Sequence, residues 1–378
     1  MNNHRALALV STFLPTRCGL ATYAEDLIAA LRTVHPVSRI IRIAVSNSIK
    51  TEAPIADVTI RRSDPDGWAK VRHWLSAQGV EVVLLQHEFK IFGGSNGRHV
   101  LRLFEADSPP VVTTLHTVSR RLKGSRLEVV RAICAASRGV VVHAQESKQL
   151  LSRFGVDEAK IHVIPHGAPS LDFQWPEVAV QGSRVLPRFA SFGHMRRSKG
   201  YELAIDALAR LRNDRVQFEY WIYGKNHPRR KSAAEYRNEI ITRIHNAGLE
   251  KHVRLVDEYL SAEDLIAAVR ACDVGILPYR RIEQHSSGTL ALFLACGRPV
   301  ISSNFAVARE IVTPRCGELF SIGRVDSLYE KLKKISANVE LRSEMMLQAH
   351  SRAQGWTWDL VGKSYIEALL IRPARLEM

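Results

Sequence analysis

The sequence predicts an α/β protein built of two doubly wound parallel domains that face each other across an interdomain cleft. Three observations predict it. Short β-rich runs alternate with amphipathic helical stretches along almost the whole chain, the pattern of parallel strands joined by crossover helices. At 378 residues the chain exceeds the size, about 250–300 residues, at which single cores stop growing. The alternation lapses between 167 and 187, a stretch rich in Pro, Gly and Ser with no clear period. The expected division is a first domain over 1–170, a linker over 171–187, a second domain over 188–353 and a closing segment over 354–378.

Taken in order, strands are expected over 6–12, 39–46, 80–87, 110–117, 139–144 and 160–165. Several are nearly continuous in Val, Ile and Leu, as parallel strands buried on both faces require. A helix is expected over 19–34, where Leu20, Tyr23, Leu27, Leu31 and Val34 share one face, and Pro36 ends it. In the second half, strands are expected over 189–194, 217–224, 252–256, 274–279 and 299–303. Helices are expected over 202–211 and 290–295, and a third from the cap Ser261, carrying Leu265, Ile266, Val269 and Cys272. In open α/β sheets ligands bind beyond the carboxyl ends of the strands, so strand-end residues are the candidates for chemistry.

Composition narrows the class. No apolar run is long enough to span a bilayer, and the N-terminus leads straight into a strand, so no signal peptide is expected. The five cysteines (Cys18, Cys134, Cys272, Cys296 and Cys316) fit neither a zinc site nor a C-x-x-C pair, which points to a reducing cytoplasm. The net charge of +15 attracts phosphates, nucleic acids or anionic lipid headgroups without choosing among them. With no zinc finger or RNP-type aromatic motif, specific nucleic-acid binding is not expected; peripheral contact with an anionic membrane is.

The most informative stretch is F-G-H-M-R-R-S-K-G, from Phe192 to Gly200, between a strand and a helix. Gly193 lets a ligand approach the backbone, the helix start offers free N–H groups to an anion, and Arg196 and Lys199 add two cations. The alternative is a solvated basic turn. A second anion-binding helix start lies in Glu283-Gln284-His285-Ser286-Ser287-Gly288-Thr289. Two such starts in one half favour a diphosphate over a single phosphate. Gly19, before the first helix, is open to the same reading or to that of an ordinary loop. His87 and Glu88 end one strand, where they bind a hydroxyl, transfer a proton or serve structure. His116 ends the next, with a core histidine as its alternative. Gly224 and Lys225 end another, as cover for a flat base or as a polar loop. Asp64-Pro65-Asp66 reads as a turn and helix cap rather than a metal motif, and no metal site is expected.

Together these pieces resemble the retaining glycosyltransferases of family 4, which have the GT-B fold, from about Leu9 to the C-terminus. The resemblance is closest to a bacterial branch marked by S-T-F-x-P-x-R-C-G-x-A-T, H-E-F-x-I-F-G-G, T-L-H-T, I-P-H-G, K-G, G-x-x-H-P and E-Q-x-S-S-G-T-L. All seven occur here in order, at 11–22, 87–94, 114–117, 164–167, 199–200, 224–228 and 283–290. The resemblance implies that the first domain binds a glycan or lipid-linked acceptor, through His87 and Glu88. It implies that the second binds a nucleoside diphosphate sugar, through Gly193, Gly224, Lys225, Glu283, Ser286, Ser287, Gly288, Thr289 and Glu310. Gly19 would close on the phosphates, Arg196 and Lys199 would neutralise the diphosphate, and His116 would stand beside the donor sugar. The segment over 354–378 would be a helix crossing back to the first domain. No cofactor and no metal are implied. One departure matters: the family's E-x7-E falls here on Gln284 and Leu292, so the carboxylate that usually holds the ribose is missing. The implied activity is transfer of a hexose, with mannose as one candidate. The rivals are a GT-B nucleotide-sugar epimerase and a non-catalytic glycan- or nucleotide-binding protein.

Overall fold

The computed structural model describes residues 6–16, 18–34, 39–46, 55–89, 91–105, 107–176, 186–224, 231–258 and 260–367. The chain divides into two compact units, Met1–Gly167 with Trp356–Met378, and Ala168–Gly355. The first contains β1 (Ala6–Ser11), α1 (Gly19–Val34), β2 (Arg39–Ser46), β3 (Val58–Arg61), α2 (Asp66–Ala77), β4 (Val80–His87), β5 (Val111–Leu115), α3 (Ser125–Ala136), β6 (Gly139–Val142), α4 (Gln145–Arg153) and β7 (Ile161–Val163). The second contains β8 (Arg188–Phe192), α5 (Tyr201–Asn213), β9 (Glu219–Tyr223), α6 (Lys231–Asn246), β10 (Val253–Val256), α7 (Ala262–Arg270), β11 (Val274–Leu277), α8 (Gly288–Ala295), β12 (Val300–Ser303), α9 (Ala306–Ile311), β13 (Gly317–Phe320), α10 (Val325–Ser336) and α11 (Val339–Ala353). The last helix, α12 (Trp358–Tyr365), belongs to the first unit again.

Among the described residues the first sheet has seven strands in the order β3-β2-β1-β4-β5-β6-β7, and the second has six in the order β10-β9-β8-β11-β12-β13. Every pairing in both is parallel. Both are doubly wound Rossmann-like sheets, with the winding reversing between β1 and β4 and between β8 and β11. Those reversal points are where such sheets open a crevice at the strands' carboxyl ends.

The continuous apolar runs follow from this topology. Along β1, Ala6, Ala8 and Val10 share a cluster with Trp68, Val71 and Leu75 of α2. Leu7 and Leu9 point the other way, into a cluster with Tyr23, Leu27 and Leu31 of α1. Val361 and Tyr365 of α12 join that second cluster, which holds the closing helix on the first unit. In the second unit, Phe189, Tyr220, Ile222, Ile276 and Ile301 pack with Ile205 and Leu208 of α5 and Leu328 and Leu332 of α10.

Two strands, β3 and β13, lie outside the sequence expectation. Each has four residues and forms a sheet edge, so V-T-I-R and G-E-L-F carry too short an apolar run to stand out. Residues 171–176, expected to begin the linker, are packed on the second unit. The Leu171 carbonyl accepts from His350 Nε2 at 2.8 Å, that of Asp172 from Arg270 Nη2 at 3.0 Å, and that of Gln174 from Arg298 Nη1 at 3.0 Å. Three basic side chains thus tie the backbone of this segment to the second unit.

Candidate functional site

In the second unit the residues that follow β8 and β11 meet at the reversal point. After β8 the chain makes a left-handed turn at Gly193 (φ +133°), and a Cβ there would lie 2.9 Å from Lys199 Cε. The lysine stem therefore lies directly over the glycine. Its ammonium donates to the Tyr279 hydroxyl at 2.8 Å and sits 4.0 Å from that ring's centroid. Tyr279 follows β11 and is itself stacked on Phe305, with ring centroids 5.2 Å apart. The turn is tied down from behind. The Arg280 N–H donates to the Ser198 carbonyl at 3.0 Å, and its guanidinium pairs with buried Glu202, which also accepts from the Tyr236 hydroxyl. Arg197 turns away to Glu239 at 2.6 Å and stands over Tyr236, so Lys199, not Arg197, is the cation held over Gly193.

Gly200 closes the turn at φ +70°, and a Cβ there would lie 2.0 Å from the Pro278 carbonyl oxygen. Gly200→Ala should destabilise the second unit by about 2–4 kcal/mol, from left-handed strain plus displacement of the β11 strand end. A urea midpoint unchanged from the wild type would contradict this close approach.

The second helix start is also formed. Ser287 caps α8, its Oγ accepting from the Leu290 N–H at 3.2 Å. The N–H groups of Gly288 and Thr289, which precede the first intrahelical bonds, point out of the helix. The turn before it is fixed by bonds from Ala306 N to the Ile282 carbonyl at 2.8 Å and from Val307 N to the Gln284 carbonyl at 3.1 Å. Glu283 and Ser286 are partly buried in that turn, and Glu310 is exposed at the end of α9. Gly224 ends β9 beside Gly193, whose carbonyl oxygen would lie 2.8 Å from a Cβ on Gly224. Lys225, Arg229 and Arg230 fall outside the described residues.

In the first unit His116, just past β5, belongs to an aromatic cluster. Its ring meets Tyr23 edge-on at 4.7 Å, and His143 lies 4.9 Å away. His166 and Trp358 complete the group around Tyr23, at 5.1 Å each. Burial, with lesser contributions from His143, His166 and His87, holds the His116 pKa well below its ordinary value, so the ring is neutral. Its Nε2 lies 2.8 Å from Gln86 Oε1. Glu88 is engaged at both oxygens, accepting from Thr117 Oγ1 at 2.7 Å and from the Phe89 N–H at 3.1 Å.

His87 requires correction. Expected at the acceptor, it is 1% exposed and stacked on Phe92 with ring centroids 5.5 Å apart, and burial pushes its pKa down to about 4. It is a neutral core group with no face open to a ligand. The strand-end position misled because the H-E-F-x-I-F-G-G turn folds Phe92 back over it. Gly19, by contrast, is exposed at the start of α1, and a Cβ there would meet nothing within 4 Å. Asp64 and Asp66 form the expected turn: Asp64 Oδ1 accepts from the Asp66 N–H at 2.9 Å, and Asp66 pairs with Arg102 at 2.5 Å. Among the described residues no group of three or more His, Cys, Asp or Glu has the arrangement of a metal site.

Sequence reasoning missed Tyr279, Gln86, His143 and Tyr365. Tyr279 carried a signal, since L-P-Y-R ends a strand beside the one leading to Lys199. The others carried none, because their role depends on which strands become neighbours.

Two family comparisons match these units. Residues 18–169 match Glycosyltransferase Family 4 and residues 185–352 match Glycosyl transferases group 1. The chain is 28% identical over 141 residues to the GDP-mannose:glycolipid 4-beta-D-mannosyltransferase of Xanthomonas campestris pv. campestris, a stretch covering 36% of this chain and 37% of that enzyme. It is 26% identical over 306 residues to the D-inositol 3-phosphate glycosyltransferase of Paenarthrobacter aurescens, covering 73% of this chain and 72% of the relative. Among solved structures it resembles Anabaena HepE in complex with UDP, with a TM-score of 0.76 and 18% identity over 97% of this chain and 99% of that one. The sucrose-phosphate synthase of Thermosynechococcus elongatus superposes with a TM-score of 0.77 and 18% identity over 96% and 98%. The chain thus carries a Glycosyltransferase Family 4 domain followed by a group 1 glycosyl transferase domain, the two Rossmann-like domains of a GT-B glycosyltransferase.

Proposed function

We propose that the chain is a retaining, metal-independent glycosyltransferase that moves a hexose from a nucleoside diphosphate sugar to a glycan or lipid-linked acceptor. The observation that carries this reading is the Lys199 ammonium, held by Tyr279 at 2.8 Å over Gly193 at the reversal point of the second sheet. As the donor's glycosidic bond breaks, charge builds on the departing diphosphate. A cation already fixed in place offsets that charge without reorganising, and Arg196 and the α8 N-terminus add to the effect. That role would otherwise fall to a metal. His116, neutral and with its Nε2 engaged, offers Nδ1 as an acceptor for a sugar hydroxyl. Gly19 is not demanded by packing within the chain, which fits a residue kept small for an approaching phosphate.

The names of the relatives support a hexose donor. One Xanthomonas relative is a GDP-mannose-dependent mannosyltransferase acting on a glycolipid, and neighbouring structures hold UDP or UDP-glucose. Leu292, half-buried on α8, leaves the ribose to other groups, with Glu283, Glu310 and the turn over 286–289 as candidates. The charge of +15 supports a cytoplasmic enzyme docked peripherally on an anionic membrane that carries its acceptor; no helix among the described residues is long and apolar enough to cross one.

The test is incubation with a panel of nucleotide sugars, scored for nucleoside diphosphate release with and without acceptor glycans and glycolipids, in the presence and absence of EDTA. Acceptor-dependent release that survives EDTA is expected. Conversion of the donor sugar without acceptor would show an epimerase, and loss of activity restored by manganese would overturn metal independence. Tight nucleotide binding with no turnover would show a binding protein.

A further inference from the structure

A chain of buried hydrogen bonds leads from the closing helix to His116. Tyr365, the last residue of α12, is fully buried, and its hydroxyl lies 2.7 Å from Thr114 Oγ1 and 3.0 Å from the Tyr23 hydroxyl. Thr114 sits on β5 and receives the Gln86 Nε2 of neighbouring β4 at 3.4 Å. With its nitrogen turned to Thr114, the Gln86 amide presents Oε1 to His116 Nε2 at 2.8 Å. An amide oxygen only accepts, so the neutral imidazole must carry its proton on Nε2. Gln86, Thr114 and Tyr365 are all fully buried, leaving no solvent to compete for these bonds.

We propose that Gln86 and Tyr365 are positioning residues that fix His116 as its Nε2–H tautomer, so that docking of the closing helix sets the state of the histidine used in transfer. This rests on the proposed function for what His116 does, but not for how it is held. Both residues are fully buried and so are out of reach of a substrate. Tyr365 acts through Thr114 on Gln86, and Gln86 acts on the ring. The bond is worth making because the two imidazole nitrogens have opposite capacities. With Nε2 donating, Nδ1 is the acceptor; with the amide lost, no other hydrogen bond to the ring among the described residues selects between tautomers. The groups facing the His116 ring are Tyr23 of α1, His143 after β6, His87 of β4 and His166 after β7, and none of them replaces Gln86 as a partner for Nε2.

The experiment uses full-length protein labelled with 15N-histidine, with the His116 signals assigned by their loss in His116→Gln. Wild-type protein should show the Nε2–H pattern. Gln86→Leu should convert it to a mixture with Nδ1–H, and Tyr365→Phe, which keeps the ring and its packing, should shift it in the same direction by less. Both should lower kcat by roughly 5–50-fold while leaving the affinity for nucleoside diphosphate, bound by the other domain, unchanged. Gln86→Glu restores an acceptor and adds charge. It should retain the Nε2–H state and move the acid limb of the pH–rate profile upward, a change that a packing role would not produce. A wild-type ring already in the Nδ1–H state, or a tautomer unchanged in both Gln86→Leu and Tyr365→Phe, overturns the proposal. A shifted tautomer with undiminished transfer supports the positioning and removes His116 from the reaction, which separates the failure of the proposed function from that of this inference.

Discussion

Lys199→Ala should lower kcat/KM by about 10²–10³-fold, the loss found when one preorganised electrostatic donor is taken from a developing anion. The geometry makes this the most severe single change in the second domain. The ammonium is prepositioned by two contacts from Tyr279 and by the flat back of Gly193, so its ordering is complete before substrate arrives. Alanine removes the charge and leaves the Tyr279 hydroxyl without its donor. Arg196→Ala should follow in direction with a smaller loss, since its longer arm is not held by Tyr279. Arg197→Ala is the control. Its guanidinium is committed to Glu239 at 2.6 Å on the outer side of the turn, so turnover should stay within about twofold. The measurement is nucleoside diphosphate release with the donor the panel identifies. Near-normal turnover in Lys199→Ala, with an unchanged unfolding midpoint, would remove the phosphate clamp from the second domain.

The outward commitment of Arg197 to Glu239 marks a limit of what the sequence makes legible. R-R-S-K-G announces a cationic turn, but three basic residues within four positions do not say which face inward. That depends on Glu239, which lies on α6 and reaches the turn only once that helix has packed on the same sheet. The strands were legible for a simpler reason. Burial on both faces forces near-continuous apolar residues in strands such as β1, β4 and β6. The strands β3 and β13 escape the rule because each has only four residues and mixes polar with apolar ones, as V-T-I-R and G-E-L-F. His116 and His87 mark the limit of motif reading. Both stand at strand ends in similar local sequence, yet one keeps a hydrogen-bonded nitrogen near the domain's carboxyl edge and the other vanishes under Phe92. Only the path of the turn over residues 88–94 decides between them, and a string of residue types does not encode a path directly. The position of Tyr365 was equally hidden, since it lies 251 residues from Thr114, the group it meets.

The first domain should lose stability on mild acidification. Two of its histidines are held neutral by near-complete burial, the pKa of His87 being pushed down to about 4 and that of His143 to about 3; those of His116 and His166, which are only partly buried, are lowered too. In the unfolded chain each titrates near 6.5. Below that pH the unfolded state binds more protons than the folded one, so the stability these groups contribute is fully present above about pH 6.5 and drains away toward pH 4. For a histidine shifted down by two units or more, the loss between pH 7 and pH 5 is about 2 kcal/mol. Asp26 works in the opposite sense. Burial raises its carboxyl to about 6, so it gains stability as the pH falls, by about 1 kcal/mol at most over the same interval because it is partly open to water. The histidines win, since two fully buried rings outweigh one part-exposed carboxyl, and the net loss of about 3 kcal/mol is a large part of the total stability of an ordinary domain. Urea midpoints recorded from pH 8 to pH 5 should therefore fall steeply below pH 6.5 for the transition that exposes Tyr23 and Trp358. His87→Phe keeps the stack on Phe92 and removes one titrating ring, so its curve should be flatter by the share of one histidine. A midpoint independent of pH over that range, or a His87→Phe slope as steep as that of the wild type, would show that protons reach these rings without unfolding the domain. The cluster around Tyr23 would then be an open, hydrated site.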